Sequence, residues 1–236
     1  MFLGITVIPF QDLKHLTTNY VSLNTEVDYY SMNTLLDKIK EANDFIVPFE
    51  STVVTINSPG GLADALVEFQ RADKGSVPID TYISVSAASA AALAFLEGRN
   101  RYMHPEATIL FHGVRVFVNT NYGVLIVTAP DARHLVEHKV FRDDTAEHNK
   151  KVLQHLKESG DLESILSELS KLLEDIVADM EDMDKKMVSY VAKKLDVSEE
   201  FVRSFLIVPN KDVVLTAEQA HRLGIATHVK SFSEAA

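Results

Sequence analysis

The sequence predicts an α/β domain with a mainly parallel sheet. Three apolar or β-branched runs begin at Thr52, Ile79 and Thr108, so their starts lie 27 and 29 residues apart. Each interval has the length of one strand–helix–strand crossover, the connection that joins neighbouring parallel strands. A pattern of helical period lies between consecutive runs.

The first half of the chain alternates predicted strands and helices. An apolar run over 20–23 precedes a helix over 32–42, in which Leu35, Leu36 and Ile39 share one face. The strand over 52–56 stops at Asn-Ser-Pro-Gly-Gly, a strong turn signal. The remaining elements predicted here are a helix over 62–71, a strand over 79–84, an Ala-rich helix over 88–96 and a strand over 108–111.

A long amphipathic helix is predicted over 161–195, where apolar residues recur at steps of three and four. At 1.5 Å per residue it would reach roughly 50 Å, so we expect a projecting arm whose apolar stripe needs a partner surface in this chain or another. Short helices are predicted from Ser198 and from Thr216. Thr216 and Gln219 form a capping box, and Gly224 ends that last helix.

Composition excludes several classes of function. The 236 residues carry 23 Lys and Arg against 34 Asp and Glu, a net charge of −11, which argues against binding nucleic acid by phosphate neutralisation. The absence of cysteine excludes a disulfide scaffold, a cysteine nucleophile and thiolate metal sites. The apolar residues 1–10 lack the features of a signal peptide, and no run approaches the ~20 apolar residues of a membrane span. We expect a cytoplasmic protein without a membrane segment.

Ligands of open α/β sheets bind beyond the carboxyl ends of the strands. At the first such end, Gly60 and Gly61 leave backbone N–H groups accessible to an oxyanion or a phosphate, or simply form a tight turn. The second end is a run of serines and alanines over 84–92. A serine at the helix start there presents an accessible hydroxyl; in the alternative interpretation Ser86 caps the helix and the small residues only pack closely.

His112 directly follows the third strand, where a histidine is placed either as a general base or as a hydrogen-bonded core residue. Asp212, beside the apolar run over 213–215, is the best acid to orient it, whereas the acidic residues over 174–184 suit a solvated helix face. A serine, a histidine and an aspartate together would form a hydrolytic triad. His134 and His138 are spaced as metal ligands on a helix, but no third ligand follows, so no metal site is expected.

Four motifs in this order resemble the proteolytic subunit of the Clp protease. They are the INSPGG run at 56–61, AAS at 87–89, ILFH at 109–112 and KDVVLTAEQAHRLGIA at 211–226. The resemblance covers about two-thirds of the chain. It implies the ClpP/crotonase-like fold, with repeated strand–strand–helix units and a long projecting handle helix.

The resemblance assigns roles to individual residues. It implies that Ser89 is the nucleophile, His112 the base and Asp212 the acid, and that the N–H groups of Gly61 and Ala90 form the oxyanion hole beside a substrate-binding Gly60. The protein would be a serine endopeptidase that hydrolyses unfolded polypeptides inside an oligomeric ring chamber. No cofactor is implied. The partners implied are further copies of the chain, packed through the handle helix, and an AAA+ unfolding ATPase.

Three departures from the family pattern concern the site and its surroundings. Val85 replaces the usual glycine four residues before the nucleophile, and the proline that usually follows the histidine is absent. His112 and Asp212 lie 100 residues apart, which indicates an insertion that includes a hairpin with its turn near 119–122. The resulting division is an α/β head over 1–115, an insertion over 116–160, a handle over 161–195 and a C-terminal head segment over 196–236.

Two other classes of function remain open. A crotonase-type acyl-CoA enzyme would share the fold and an oxyanion hole of two N–H groups, but it needs no Ser–His–Asp set. A non-catalytic or regulatory ring subunit would keep the fold without activity. The joint presence of Ser89, His112 and Asp212 favours the peptidase over both.

Overall fold

The computed structural model describes residues 18–44 and 49–231. The N-terminal apolar run, which was examined as a signal peptide, lies outside the described residues. Within those ranges the strands are β1 Thr18–Leu23, β2 Ser51–Ser58, β3 Ile79–Ala88, β4 Arg101–Met103, β5 Thr108–Phe111, β6 Arg115–Thr120, β7 Gly123–Thr128, β8 Val213–Thr216 and β9 His228–Val229. The helices are α1 Tyr29–Glu41, α2 Ala63–Arg71, α3 Ala90–Phe95, α4 Ala129–His138, α5 Glu147–Ser159, α6 Leu162–Glu174, α7 Val177–Leu195, α8 Glu199–Phe205 and α9 Ala217–Arg222.

The described chain forms two compact units. The first comprises the described residues up to Leu110 and those from Val214 onward, and the second comprises Phe111–Val213. No helix within 18–44 or 49–231 combines the length and the apolar character needed to cross a membrane.

The first unit is built on a mainly parallel sheet, which confirms the predicted α/β class. Its strands follow the order β1-β2-β3-β4-β9, and β5 pairs with β3 and with β8. The pairs β1–β2, β2–β3, β3–β4, β3–β5 and β4–β9 are all parallel. The central strands read as near-continuous apolar and β-branched runs because both faces are covered, and Ile56 and Ile83, which lie opposite each other, are fully buried.

Strand β3 carries an irregularity just before the predicted nucleophile. Ile56 pairs with Ile83, but the next pair is Ser58 with Ala87, so β3 has two more residues than β2 between these pairs. This is a bulge, which bends a strand and changes the direction in which the following residues point. After the bulge, β3 pairs with β5, and the chain turns into α3.

The second unit begins with the predicted hairpin, which is confirmed. Strands β6 and β7 are antiparallel, and Thr120 pairs with Gly123 across a turn of two residues. Helices α4 to α7 supply the other side chains of its core. The buried cluster contains Leu125, Val127, Ala129, Ala132, Leu135, Val152, Leu156, Leu166, Leu169, Leu173, Val177 and Met180.

The single long helix predicted over 161–195 is wrong. The segment forms two helices, α6 and α7, and the break lies at Asp175 and Ile176. There the Ile176 N–H bonds to the Leu173 carbonyl three residues back, with a φ of −116° at Ile176, so the α-helical bonding is interrupted. The interruption involves neither glycine nor proline, the residues whose presence would have predicted a break.

The apolar stripe of this segment packs against other parts of the same chain. The buried positions of α6 and the first turn of α7 belong to the core cluster of the second unit. Farther along α7, Val188 and Val191 are fully buried, and α7 packs against α8. The partner surface that the stripe needs therefore lies in the same chain, which is one of the two alternatives that the sequence left open.

Candidate active site

The turn after β2 is held by the side chain of Ser58. Its hydroxyl donates to the Thr25 carbonyl at 2.5 Å and accepts from the Gly60 N–H at 3.2 Å. The Gly60 carbonyl accepts from the Val27 N–H at 2.8 Å. Both backbone polar groups of Gly60 are thus used within the turn, which explains why a serine precedes Pro-Gly-Gly here.

Gly60 lies directly against the predicted nucleophile. A Cβ added to Gly60 would lie 2.3 Å from the Ala88 carbonyl oxygen, 2.6 Å from the Ser89 Cβ and 3.0 Å from the Ala90 nitrogen. Its φ of +90° is also one that only glycine adopts readily. The Gly-Gly turn and the Ser89 turn are therefore in contact, and only glycine allows this approach.

Ser89 has an unusual backbone conformation. Its φ is 55° and its ψ is −126°, outside the left-handed helical region occupied by Lys139 and Asp196. Such a conformation persists only where the surroundings impose it, and it is concentrated at functional sites. Here the Ser89 N–H donates to the Leu110 carbonyl at 2.9 Å, and the Ser89 carbonyl accepts from the N–H groups of Ala92 and Leu93.

The Ser89 hydroxyl is not used to cap α3. The residue is half-buried at the junction between β3 and a helix in which every residue is buried. A serine held in a strained strand-to-helix turn presents its Oγ away from the backbone, as nucleophilic serines do. The alternative interpretation, a helix cap at Ser86, is wrong, because Ser86 lies within β3 and its hydroxyl donates to the Asn57 side chain.

Two backbone donors belong to the residues that follow Gly60 and Ser89, namely Gly61 and Ala90. In the parallel contact between Val27 and Gly61, the bonds run from the Val27 N–H to Gly60 and from the Leu62 N–H to Val27. The Gly61 N–H takes no part in them, and the Ala90 N–H belongs to the first helical residue, which has no acceptor within its helix. Neither N–H donates to another described residue, so both remain able to bind an oxyanion.

Val85, the departure from the family glycine, lies in the β3 bulge and is 60% exposed. The neighbouring Ser86 hydroxyl donates to the Asn57 side chain at 3.5 Å. The bulge thus carries Val85 outward and leaves the Ser89 turn intact.

His112 belongs to the second unit and lies just beyond β5. Its Nδ1 is 2.6 Å from the Gly113 carbonyl oxygen, which fixes Nδ1 as the protonated nitrogen of the neutral ring. Burial, reinforced by the nearby Arg115 charge, lowers the pKa of His112 below its ordinary value of 6.5; the Gly113 carbonyl and Asp212 act in the opposite direction. At neutral pH the imidazole is therefore uncharged, with Nε2 able to accept a proton.

Asp212 lies in the same unit but is bonded to a different side chain. Its Oδ1 accepts from Arg115 Nη2 at 2.5 Å, and the same Nη2 contacts the Lys211 carbonyl at 3.4 Å. No hydrogen bond joins Asp212 to His112 among the described residues. The structure therefore brings Asp212 close enough to affect the charge of His112 without forming the contact that a triad would require.

Two residues of this site were missed by the sequence analysis. Arg115 carries no predicted role. Asp184 was assigned to a solvated helix face, but its side chain is only 17% exposed. Its carboxylate accepts from the Val114 N–H at 3.2 Å and from Arg203 at 3.3 Å, so it holds the backbone that follows His112.

The arrangement of His134 and His138 does not support a metal site. The rings of His134 and His138 lie 4.5 Å apart on α4. Within the described ranges, no group of three or more His, Asp or Glu side chains is arranged to hold a metal ion.

Comparison with known proteins identifies no family. No protein-family model matches the chain, and no curated protein matches it significantly. Support for a function therefore comes from the geometry of the site and from the motifs.

Proposed function

We propose that the chain is a serine peptidase of the Clp type, with Ser89 as nucleophile, His112 as general base and Asp212 as the acid that orients the histidine. The observation that carries the proposal is the backbone of Ser89. A strained serine with an uncommitted hydroxyl lies against Gly60, and the N–H groups of the next residues, Gly61 and Ala90, have no acceptor among the described residues.

The chemistry follows from these groups. Ser89 Oγ attacks the carbonyl carbon of a peptide bond while His112 Nε2 takes the hydroxyl proton. The carbonyl oxygen becomes an oxyanion, to which the Gly61 and Ala90 N–H groups donate. The amine departs with the proton from the imidazolium, and water then hydrolyses the acyl-serine by the same steps in reverse order. The neutral state of His112 at pH 7 suits the first of these transfers.

The proposed substrate is an unfolded polypeptide. An extended peptide binds largely through main-chain hydrogen bonds, so a chain with a net charge of −11 needs no charge complementarity to its substrate. The proposed fold is of the ClpP/crotonase type, supported by the parallel sheet and by the Gly-Gly turn against the start of α3.

Assembly into a ring chamber, served by an AAA+ unfolding ATPase, is a further proposal. Its support is the sequence resemblance, since the apolar stripe of α6 and α7 is occupied within the chain. Leu172 of α6 is a large apolar residue left exposed, at 56%. If α6 contributes to the subunit contact, Leu172→Glu will shift the sedimentation profile toward monomer. An unshifted profile for an oligomeric wild type would exclude this contact.

A fluorophosphonate probe tests the catalytic proposal. We expect the wild-type protein to gain one covalent adduct by intact mass, and Ser89→Ala to gain none. Ser86→Ala is the matched control, because Ser86 lies three residues upstream with only a long contact to Asn57, and it should be labelled like the wild type. An adduct that persists in Ser89→Ala would refute the nucleophile assignment.

The Arg115–Asp212 ion pair favours a second candidate, the non-catalytic ring subunit, because it removes Asp212 from its triad role. Absence of labelling in the wild type and in an Arg115→Gln variant would support that candidate.

A further inference from the structure

Arg115 and Asp212 form an ion pair beside the predicted base. Arg115 Nη2 lies 2.5 Å from Asp212 Oδ1, and the Arg115 side chain is only 12% exposed whereas that of Asp212 is 51% exposed. Because Arg115 Nη2 also contacts the Lys211 carbonyl, the guanidinium holds both the backbone and the carboxylate of this loop. A largely buried guanidinium is retained only where it has such partners.

The imidazole of His112 also has a hydrogen-bond partner other than Asp212. Its Nδ1 contacts the Gly113 carbonyl at 2.6 Å, and Nδ1 is the nitrogen that the acid of a triad must hold when Nε2 acts as the base. The same ring therefore has an internal acceptor in place of Asp212. Both halves of the missing His112–Asp212 contact are satisfied by alternative partners.

The backbone beside His112 is held more firmly than the segment that carries Asp212. The backbone after His112 is fixed by Asp184, which accepts from the Val114 N–H and from Arg203. On the other side, Asn210 is anchored: its Oδ1 accepts from the Thr128 hydroxyl at 2.6 Å, and its Nδ2 donates to the Asp144 carbonyl at 3.3 Å. Beyond this anchor, Lys211 and Asp212 are exposed. A rearrangement would therefore move Asp212 rather than the histidine.

We propose that Arg115 is a positioning residue that holds the Asp212 carboxylate away from His112, and that hydrolysis requires Asp212 to exchange Arg115 for His112 Nδ1. This inference rests on the proposed function. It does not depend on the inference that the chain is oligomeric. The exchange breaks one ion pair and one contact to a backbone carbonyl, and it forms one His112–Asp212 ion pair when the imidazole is protonated.

A double-mutant cycle read on the imidazole of His112 by NMR titration tests the exchange. The charged groups that face His112 in its unit are Arg115 and Asp212, with Asp184 on the adjoining backbone. Arg115→Gln releases Asp212, so the pKa of His112 should rise by about one unit or more, the size of shift expected from an adjacent opposite charge. Adding Asp212→Asn should reverse most of that rise, and Arg115→Lys should restore the wild-type value.

The alternative gives a different pattern. If Arg115 acts only through its charge and Asp212 does not move, Asp212→Asn will shift the pKa of His112 by the same amount with and without Arg115. That additivity, or an unchanged pKa in Arg115→Gln, would overturn the inference. Should Arg115→Gln fail to fold, Arg115→Met keeps the buried aliphatic stem and replaces it in the cycle.

Fluorophosphonate labelling separates this inference from the proposed function. We expect Arg115→Gln to be labelled at least tenfold faster than the wild type, and the increase to disappear with Asp212→Asn. If the cycle is non-additive and no variant is labelled, the positioning role of Arg115 stands and the proposed peptidase activity is rejected. Labelling of Ser89 with an additive cycle would leave the peptidase and reject the positioning role.

Discussion

Replacing Gly60 with alanine tests the contact between the Gly-Gly turn and Ser89. The new Cβ would lie 2.3 Å from the Ala88 oxygen and 2.6 Å from the Ser89 Cβ, distances that real Cβ atoms do not show. Alanine at a φ of +90° costs ~1–2 kcal/mol in backbone strain. Overpacking against a fixed backbone adds ~1–3 kcal/mol. We expect Gly60→Ala to lower the free energy of unfolding by ~2–5 kcal/mol.

Gly160→Ala is the matched control. Gly160 has a φ of +85°, but a Cβ there would have nothing within 4 Å. It should therefore lose only the strain component, ~1–2 kcal/mol. The difference between the two variants isolates the contact with Ser89.

Urea denaturation measures both losses, and fluorophosphonate labelling measures the effect on Ser89. Because the added methyl group pushes on Ala88 and Ser89, labelling of Gly60→Ala should fall at least tenfold, whereas Gly160→Ala should be labelled at the wild-type rate. If the two variants lose equal stability and label equally, Gly60 is not packed against the Ser89 turn and the geometric argument fails.

Three further predictions concern the second unit. Because burial lowers the pKa of His112, peptide hydrolysis should decline only below pH 6.5, and a pH profile of kcat/KM whose acid limb lies above pH 7 would contradict this. Asp131 is fully buried, and burial raises its pKa, so the stability that protonated Asp131 contributes is present below its unfolded pKa of about 3.8 and is lost as the pH rises. Asp131→Asn should therefore gain stability relative to the wild type between pH 4 and 7. If the difference in urea midpoint between the two proteins does not change over this range, the prediction is refuted. Leu173→Glu places a charge in the core and should lower the free energy of unfolding by ~3–5 kcal/mol. Leu172→Glu, at an exposed position, should change it by less than ~0.5 kcal/mol. Equal thermal midpoints for the two variants would show that Leu173 is not in the core.

Local patterns predicted much of the fold because their causes are local. The capping box of Thr216 and Gln219 is present with both of its hydrogen bonds, and Gly224 has the positive φ of a helix stop. The Pro-Gly-Gly turn and the two-residue hairpin turn were likewise determined by residues within a few positions of each other. The spacing of the β-branched runs predicted the parallel strands because one crossover connection requires an interval of that length.

The contacts that define the second half of the site are not local. Arg115 meets Asp212 across 97 positions, and Asp184 meets Val114 across 70. Such distant pairs leave no periodic pattern in the sequence. An acidic residue on an amphipathic helix, such as Asp184, could therefore only be assigned to the solvated face. The break at Ile176 is likewise marked by no glycine or proline, and the apolar residues on both sides of it share one core.

Peptide mapping of the fluorophosphonate adduct identifies the reactive serine. We expect one modified residue in the wild-type protein, Ser89, and no modification in Ser89→Ala. Modification of any other serine, or an unmodified wild type together with an unmodified Arg115→Gln variant, would contradict the assignment of Ser89 as an activated nucleophile.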